Sequence, residues 1–139
     1  MIKRIKIFGE RNTNTNYMSK LIALNLKIRE ISGVVPRTIL AAQKILPGRE
    51  RLRDIYFHYT YKHNLGWKHA CVKPEQIKGS TVDRKNDICF LTITKNPYSW
   101  LLSLHRNPYH QYYGEKPGFE DFLRTPWKTV KRDNTSSLL

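Results

Sequence analysis

A chain of 139 residues fits one domain with one core. It is 40% hydrophobic and 12% aromatic, and its 25 Lys and Arg against 11 Asp and Glu leave a formal charge of +14. Two cysteines, Cys71 and Cys89, lack C-x-x-C spacing, which excludes a disulfide framework and a four-thiolate metal site and points to reduced thiols. The start "MIKRIKIF" has no long apolar signal core and no apolar run suits a membrane span, so the expectation is a soluble, cytoplasmic protein. The charge predicts attraction to polyanions or to phosphorylated and sulfated small molecules.

Residues 2–8 alternate, with Ile5 and Ile7 on one face, and predict a strand. From Tyr17 to about Glu30, Met18, Leu21, Ile22, Leu26 and Ile28 recur at roughly helical intervals, with Asn16 as the expected N-cap. Between 33 and 64, Pro36 and Pro47-Gly48 mark breaks, "RTILAAQKIL" suits a short helix and "ERLRDIYFHYTYKH" is mixed. "LGWKHACV", 65–72, suits a short strand, and "PEQIKGSTVDRKND" reads as a polar connection. "ICFLTIT", 88–94, is a near-continuous apolar, β-branched run that predicts a central strand buried on both faces. "PYSWLLSLHR" has a helical pattern, "GFEDFL" suggests a further turn or two, and residues 128–139 read as a frayed tail. Strands alternating with helices predict an α/β layer fold with a mainly parallel sheet, as a single domain over 1–139.

The loop "GERNTNTN" joins the first strand to the first helix, where uncovered backbone N–H groups and the positive end of the helix dipole attract anions. It adds Arg11, the hydroxyls of Thr13 and Thr15, and the amides of Asn12, Asn14 and Asn16, all suited to phosphate or sulfate oxygens. It lacks the G-K-[ST] ending of nucleotide triphosphatase loops, so no Lys and hydroxyl pair is set for a β/γ-phosphate and Mg²⁺. An anion loop with no metal is expected. The bland alternative is an Asn/Thr-rich structural turn. "TITKNPYSWLLSLHR" starts at the carboxyl end of the presumed central strand, the edge at which open α/β sheets bind ligands.

"GERNTNTNY" followed by "LTITKNPYSWLLSLHR" resembles the sulfotransferases that use 3′-phosphoadenosine 5′-phosphosulfate (PAPS). In that family an N-terminal strand–loop–helix, often P-[KR]-S-G-T-[TS]-x, wraps the 5′-phosphosulfate, and a later R-x-P-x-x-x-x-x-S segment binds the 3′-phosphate. Here the second pattern reads Lys95, Asn96, Pro97 and Ser103, with Ser103 eight positions after Lys95. The first places Thr13, Thr15 and Asn16 on phosphosulfate-binding positions, with Arg11 one place before the usual basic residue, where this chain has Asn12. Asn14 stands where a Gly is usual, and Lys95 replaces the usual Arg and its bidentate fork. The resemblance covers most of 1–127 and implies a three-layer αβα, P-loop-like sulfotransferase domain, apparently shortened at the C-terminal side.

The resemblance also implies PAPS as sulfuryl donor, no metal, and a hydroxyl on a carbohydrate or small-molecule acceptor. Lys68 and His69 resemble the Lys and His on a strand end of the alcohol and phenol sulfotransferases: His69 is the first candidate for the base and Lys68 for neutralising the leaving phosphate. Adjacent strand residues face opposite ways, so both reach one site only where the strand ends. Glu10 is a rival base, and His69 as a layer-boundary histidine is the structural alternative. His58 and His63, and His105 and His110, lack convincing metal spacing. Trp67, Trp100 and Trp127 are core or adenine-stacking candidates, with core favoured for Trp100, and Ser103 has the rival fate of bonding to its own helix. Two other functions fit the sequence: a phosphonucleotide-binding module without activity, and a basic nucleic-acid-binding domain with Tyr56, Tyr59 and Tyr61 as stacking candidates.

Overall fold

Ile5 and Ile7 are held at 6% and 2% exposure on one face of β1 (Arg4–Gly9) because α1 (Thr15–Asn25) lays Ile22 and Met18 over them. The computed structural model describes residues 1–45, 49–70, 72, 74–82, 87–108 and 115–124. The readings made for Pro47-Gly48, Cys71, His110, Trp127, part of the polar connection (83–86) and the 128–139 tail lie outside these residues.

After α1 the chain forms β2 (Arg29–Glu30), α2 (Arg37–Ile45), α3 (Arg49–Asn64), α4 (Pro74–Lys78), β3 (Ile88–Ile93), α5 (Pro97–Arg106) and α6 (Phe119–Arg124). The three strands form one open parallel sheet in the order β2-β1-β3, with Arg4 opposite Arg29 and Ile88 and Gly9 opposite Ile93. The fold is therefore α/β with a parallel sheet, as the alternation of patterns predicts. Arg4 fixes the start of the sheet, donating from Nε to Asp87 Oδ1 at 2.7 Å and from its guanidinium to the Val82 carbonyl at 2.9 Å.

Four readings are corrected. The helix expected from Tyr17 to about Glu30 stops at Asn25, and Arg29–Glu30 pairs with β1 instead. The N-cap is Asn14, and Asn16 sits inside the first turn of α1. Residues 65–70 form no strand: Leu65 and Gly66 take left-handed φ values of 57° and 74°, which turn the chain out of α3, and Ala70 N–H donates back to the Trp67 carbonyl at 3.0 Å. The apolar run of β3 lies at the edge of the described sheet with Phe90 and Thr92 exposed, whereas the alternating β1 is the middle strand.

The middle position of β1 explains its buried lysine. Lys6 alternates with Ile5 and Ile7 yet is fully buried, and its Nζ donates to the Gly66 carbonyl at 2.9 Å and the Ser32 carbonyl at 3.3 Å. A second cluster joins Val35, Phe57 and Trp67, with Ile39 of α2 and Tyr56 of α3 packed against it, and ties those helices to the 65–70 segment. No helix among the described residues is long and apolar enough to cross a membrane.

Candidate functional site

β1 and β3 run parallel as neighbours, so their two strand-to-helix junctions open on the same edge of the sheet. The first, 9–16, is shaped by two left-handed asparagines, Asn12 at φ 64° and Asn14 at φ 63°. Asn tolerates this region, which is how Asn14 serves where a glycine is otherwise expected. Between them Thr13 is buried, its hydroxyl donating to the Glu10 carbonyl at 2.6 Å, and Thr15 is buried as the first residue of α1. Gly9 has no room for a side chain: a Cβ there would stand 2.6 Å from Thr13 Oγ1 and 2.9 Å from the Ile93 carbonyl.

Asn14 makes no side-chain cap bond, and the intrahelical ladder begins only with Met18 N–H on the Asn14 carbonyl at 3.1 Å. The preceding N–H groups of the first turn thus remain a donor set for an anion, reinforced by the helix dipole.

The 65–70 segment lies against this junction. Gly9 N–H donates to the Lys68 carbonyl, and Lys68 N–H to the Gly33 carbonyl, each at 3.0 Å. Gly33 is required here, since a Cβ would lie 2.6 Å from Lys68 Cβ. Lys68 Nζ donates to Asn16 Oδ1 in the first turn of α1. Burial pushes the Lys68 ammonium below its usual range, and the nearby Glu30 carboxylate opposes that shift. His69 Nδ1 lies 2.6 Å from the Gly9 carbonyl. A carbonyl only accepts, so Nδ1 carries the proton and a neutral ring keeps its basic lone pair on Nε2. Both side chains reach one site because the segment turns where a strand would have sent them to opposite faces.

The second junction is built differently. Asn96 caps α5, its Oδ1 accepting from Tyr98 N–H at 3.1 Å and Ser99 N–H at 3.4 Å, and Pro97 occupies the first turn. Lys95 Nζ donates to Ser103 Oγ at 2.5 Å, and Ser103 Oγ donates to the Ser99 carbonyl at 2.9 Å. The hydroxyl thus keeps its helix bond and pairs with Lys95 as well.

Two contacts tie the junctions together. Trp100 Nε1 donates to the Arg11 carbonyl at 2.8 Å, and Asn12 Nδ2 to the Asn107 carbonyl at 3.3 Å. Trp100 lies one turn before Ser103 on α5, and Asn107, the C-cap, accepts through its main-chain carbonyl, so the loop is bound on both sides of Ser103 along the chain. Trp100 is accordingly half-buried and bound to the loop by its indole N–H.

The remaining candidates lie elsewhere. Glu10 is exposed; His105 Nε2 is 2.9 Å from the Pro117 carbonyl, with its ring against Phe119 and Phe122; His63 Nδ1 is 3.1 Å from Thr81 Oγ1. Among the described residues no group of three or more His, Cys, Asp or Glu converges as a metal site. Tyr59 is 79% exposed while Tyr56 packs on the core, so these two share no stacking surface. Trp67 is core, at 7% exposure.

Sequence reasoning missed Lys6, Glu30 and Gly33 beneath the site and Arg53 beside it. Burial lowers the Lys6 pKa to about 8 against the opposing pull of Glu30. Glu30 Oε1 accepts from Ser19 Oγ of α1 at 3.0 Å. Lys6 alternates with isoleucines like any solvent-facing strand residue, and only the place of β1 in the sheet reveals its burial. Comparison with family models, with curated proteins and with solved structures finds no match.

Proposed function

We propose that the chain binds PAPS across its two junctions and transfers the sulfuryl group to a hydroxyl of a carbohydrate or small-molecule acceptor, in a three-layer αβα, P-loop-like sulfotransferase domain. The observation that carries this reading is the pair of bonds, Trp100 Nε1 to the Arg11 carbonyl and Asn12 Nδ2 to the Asn107 carbonyl, that hold the β1–α1 loop against α5 and its C-cap, with Ser103 between them in the chain. These bonds set the two strand-to-helix junctions side by side, an arrangement that supports a nucleotide bound with its phosphosulfate at one and its 3′-phosphate at the other. The donor set fits such a ligand: backbone N–H groups of α1, Arg11 and Lys68 at one junction, Lys95 and Ser103 at the other. When bound, PAPS supplies the sulfuryl group and the leaving nucleotide phosphate.

Each residue has a role that follows from its surroundings. The first turn of α1, with Arg11, holds the phosphosulfate oxygens by hydrogen bonds and charge. Lys68, fixed by Asn16, offsets negative charge on the departing oxygen. His69 takes the proton of the acceptor hydroxyl on Nε2, while the Nδ1–H bond to Gly9 holds the ring in position. Lys95 and Ser103 hold the 3′-phosphate, which orients the nucleotide for in-line displacement.

Calorimetric titration with 3′-phosphoadenosine 5′-phosphate, against 5′-AMP, tests the donor site. Selective binding that Arg11→Ala and Ser103→Ala both weaken is the expected result; equal or absent binding of the two nucleotides by a folded chain overturns it. His69→Ala should then lower turnover about 10²- to 10⁴-fold with nucleotide affinity retained. Nucleotide affinity without turnover by the unmodified chain would leave a phosphonucleotide-binding module instead. Tight, salt-dependent oligonucleotide binding without preference for the 3′-phosphoadenosine group would leave a nucleic-acid-binding domain.

A further inference from the structure

Trp100 stands on α5, one turn before Ser103, yet its indole N–H reaches the other junction and donates to the Arg11 carbonyl at 2.8 Å. Arg11 is held at its far end as well: Cζ lies 4.5 Å from the ring centroid of Trp67, a ring that Arg53 Cζ also approaches at 4.8 Å. The main chain of Arg11 is thus held from α5 and its head from the 65–70 segment.

A peptide unit is planar and trans, so its C=O and N–H point in opposite directions. Holding the Arg11 carbonyl therefore sets the direction of the Asn12 N–H, at the point where the chain enters two left-handed residues, Asn12 at φ 64° and Asn14 at φ 63°. Such conformations persist only where surrounding contacts hold them. The Trp100 bond is a contact of that kind, and it is shorter than the second tie to this side, Asn12 Nδ2 on the Asn107 carbonyl at 3.3 Å. Asn14 then leads directly into the first turn of α1.

Resting on the reading of the β1–α1 junction as the phosphosulfate site, we infer that Trp100 is a positioning residue for the transferring end of the donor. From the helix assigned to the 3′-phosphate, its indole N–H keeps the neighbouring loop in the shape that receives the 5′ group. Its contribution is therefore felt at the 5′ end of the nucleotide although the residue belongs to the 3′ side. The gain from holding a loop ready cannot exceed the worth of the bond that holds it, which sets the effect at about twofold to tenfold in affinity.

The test is calorimetric titration of the full chain and of Trp100→Phe, which keeps an apolar ring and removes the N–H, with 3′-phosphoadenosine 5′-phosphate, 3′-AMP and 5′-AMP. The affinity ratio of the bisphosphate to 3′-AMP reads the 5′-phosphate, and its ratio to 5′-AMP reads the 3′-phosphate. Trp100→Phe should lower the first ratio about twofold to tenfold and leave the second unchanged. A merely structural role would lower thermal stability and leave both ratios alone; that result overturns the inference, as does a fall in both ratios or in the second only. In the unsubstituted chain, inorganic sulfate should shift the indole N–H resonance of Trp100, a measurement that needs no folded variant. A resonance unmoved at saturating sulfate overturns the inference. Failure of all three nucleotides to bind the folded parent chain overturns the donor reading and this inference together, whereas bisphosphate binding with unchanged ratios overturns the inference alone.

Discussion

The two strand-to-helix junctions have the same topology and opposite treatments of the helix end. At the β3–α5 junction Asn96 accepts from two first-turn N–H groups, and Lys95 pairs with Ser103 beside it. At the β1–α1 junction Asn14 is left-handed and contributes no side-chain cap to the first turn of α1. A helix start without a side-chain cap forgoes about 1 kcal/mol, a loss that a bound anion offsets. One junction is capped by its own side chain; the other is the one proposed above to take an anion.

The largest effect expected tests the ground beneath the open junction. Lys6 has its pKa lowered from an ordinary 10.5 to about 8. Between those values the unfolded chain holds the proton and the folded chain does not, so stability rises with pH across the window. The full rise attributable to Lys6 is about 3 kcal/mol. Tyr61, whose phenol burial pushes upward, subtracts from it above the ordinary tyrosine pKa of 10.0, because there the unfolded phenol ionises first. Urea unfolding across this window should show the rise in the parent chain and lose most of it in Lys6→Met. A slope of equal size in the variant would transfer the effect to other groups, with Lys68 the first to examine.

Next in size is Gly9→Ala. Its Cβ would lie 2.9 Å from the Ile93 carbonyl, which belongs to the paired strand and has little freedom to retreat. Overpacking of this kind costs about 1–3 kcal/mol. Because the collision also pushes on Thr13 Oγ1, the variant should lose 3′-phosphoadenosine 5′-phosphate binding even where it remains folded. Retained affinity would mean that the loop conformation is not what binds.

A smaller effect separates the junctions directly. Asn96→Ala should cost about 1 kcal/mol of stability, the worth of a side-chain cap, and leave the donors of α1 untouched. Asn14→Gly should cost only a few tenths of a kcal/mol, since glycine accepts the left-handed conformation and no cap bond is lost. Thermal denaturation of the two variants side by side reads the contrast. An Asn14→Gly loss equal to that of Asn96→Ala would show the first junction to be capped after all.

What the sequence made legible follows from local chemistry. The strand at 4–9, the polar loop, the helix over 97–106 and the Lys95–Ser103 spacing all depend on short-range pattern. What it hid depends on tertiary position. β1 alternates, which reads as half-exposed, while β3 is continuously apolar, which reads as central; the sheet order reverses the two, burying Lys6 and exposing Phe90 to 37%. Arg29–Glu30 looks helical because Ile28 continues the spacing of α1, and only pairing with β1 makes it a strand. The strand expected at 65–72 failed because Leu65 takes a positive φ, which no propensity would assign to a leucine. That same turn brings Lys68 and His69 to one site. The approach of Arg53 to Trp67 joins distant segments and leaves no local signature.

The smallest effect concerns the capped junction, where Lys95 stands in place of the arginine of the resembled pattern. An ammonium acts as a compact point charge, and here it is already paired with Ser103 Oγ at 2.5 Å. Lys95→Arg would present a planar fork able to hold two phosphate oxygens at once. The gain is limited because the longer head must rearrange its pairing with Ser103. Affinity for 3′-phosphoadenosine 5′-phosphate should therefore tighten only a few-fold, within about 1 kcal/mol, while 5′-AMP, which has no 3′-phosphate, is unaffected. Equal tightening for both nucleotides would mean that residue 95 acts through general charge, and the division of labour between the junctions would then rest on Ser103 and the backbone of α1 alone.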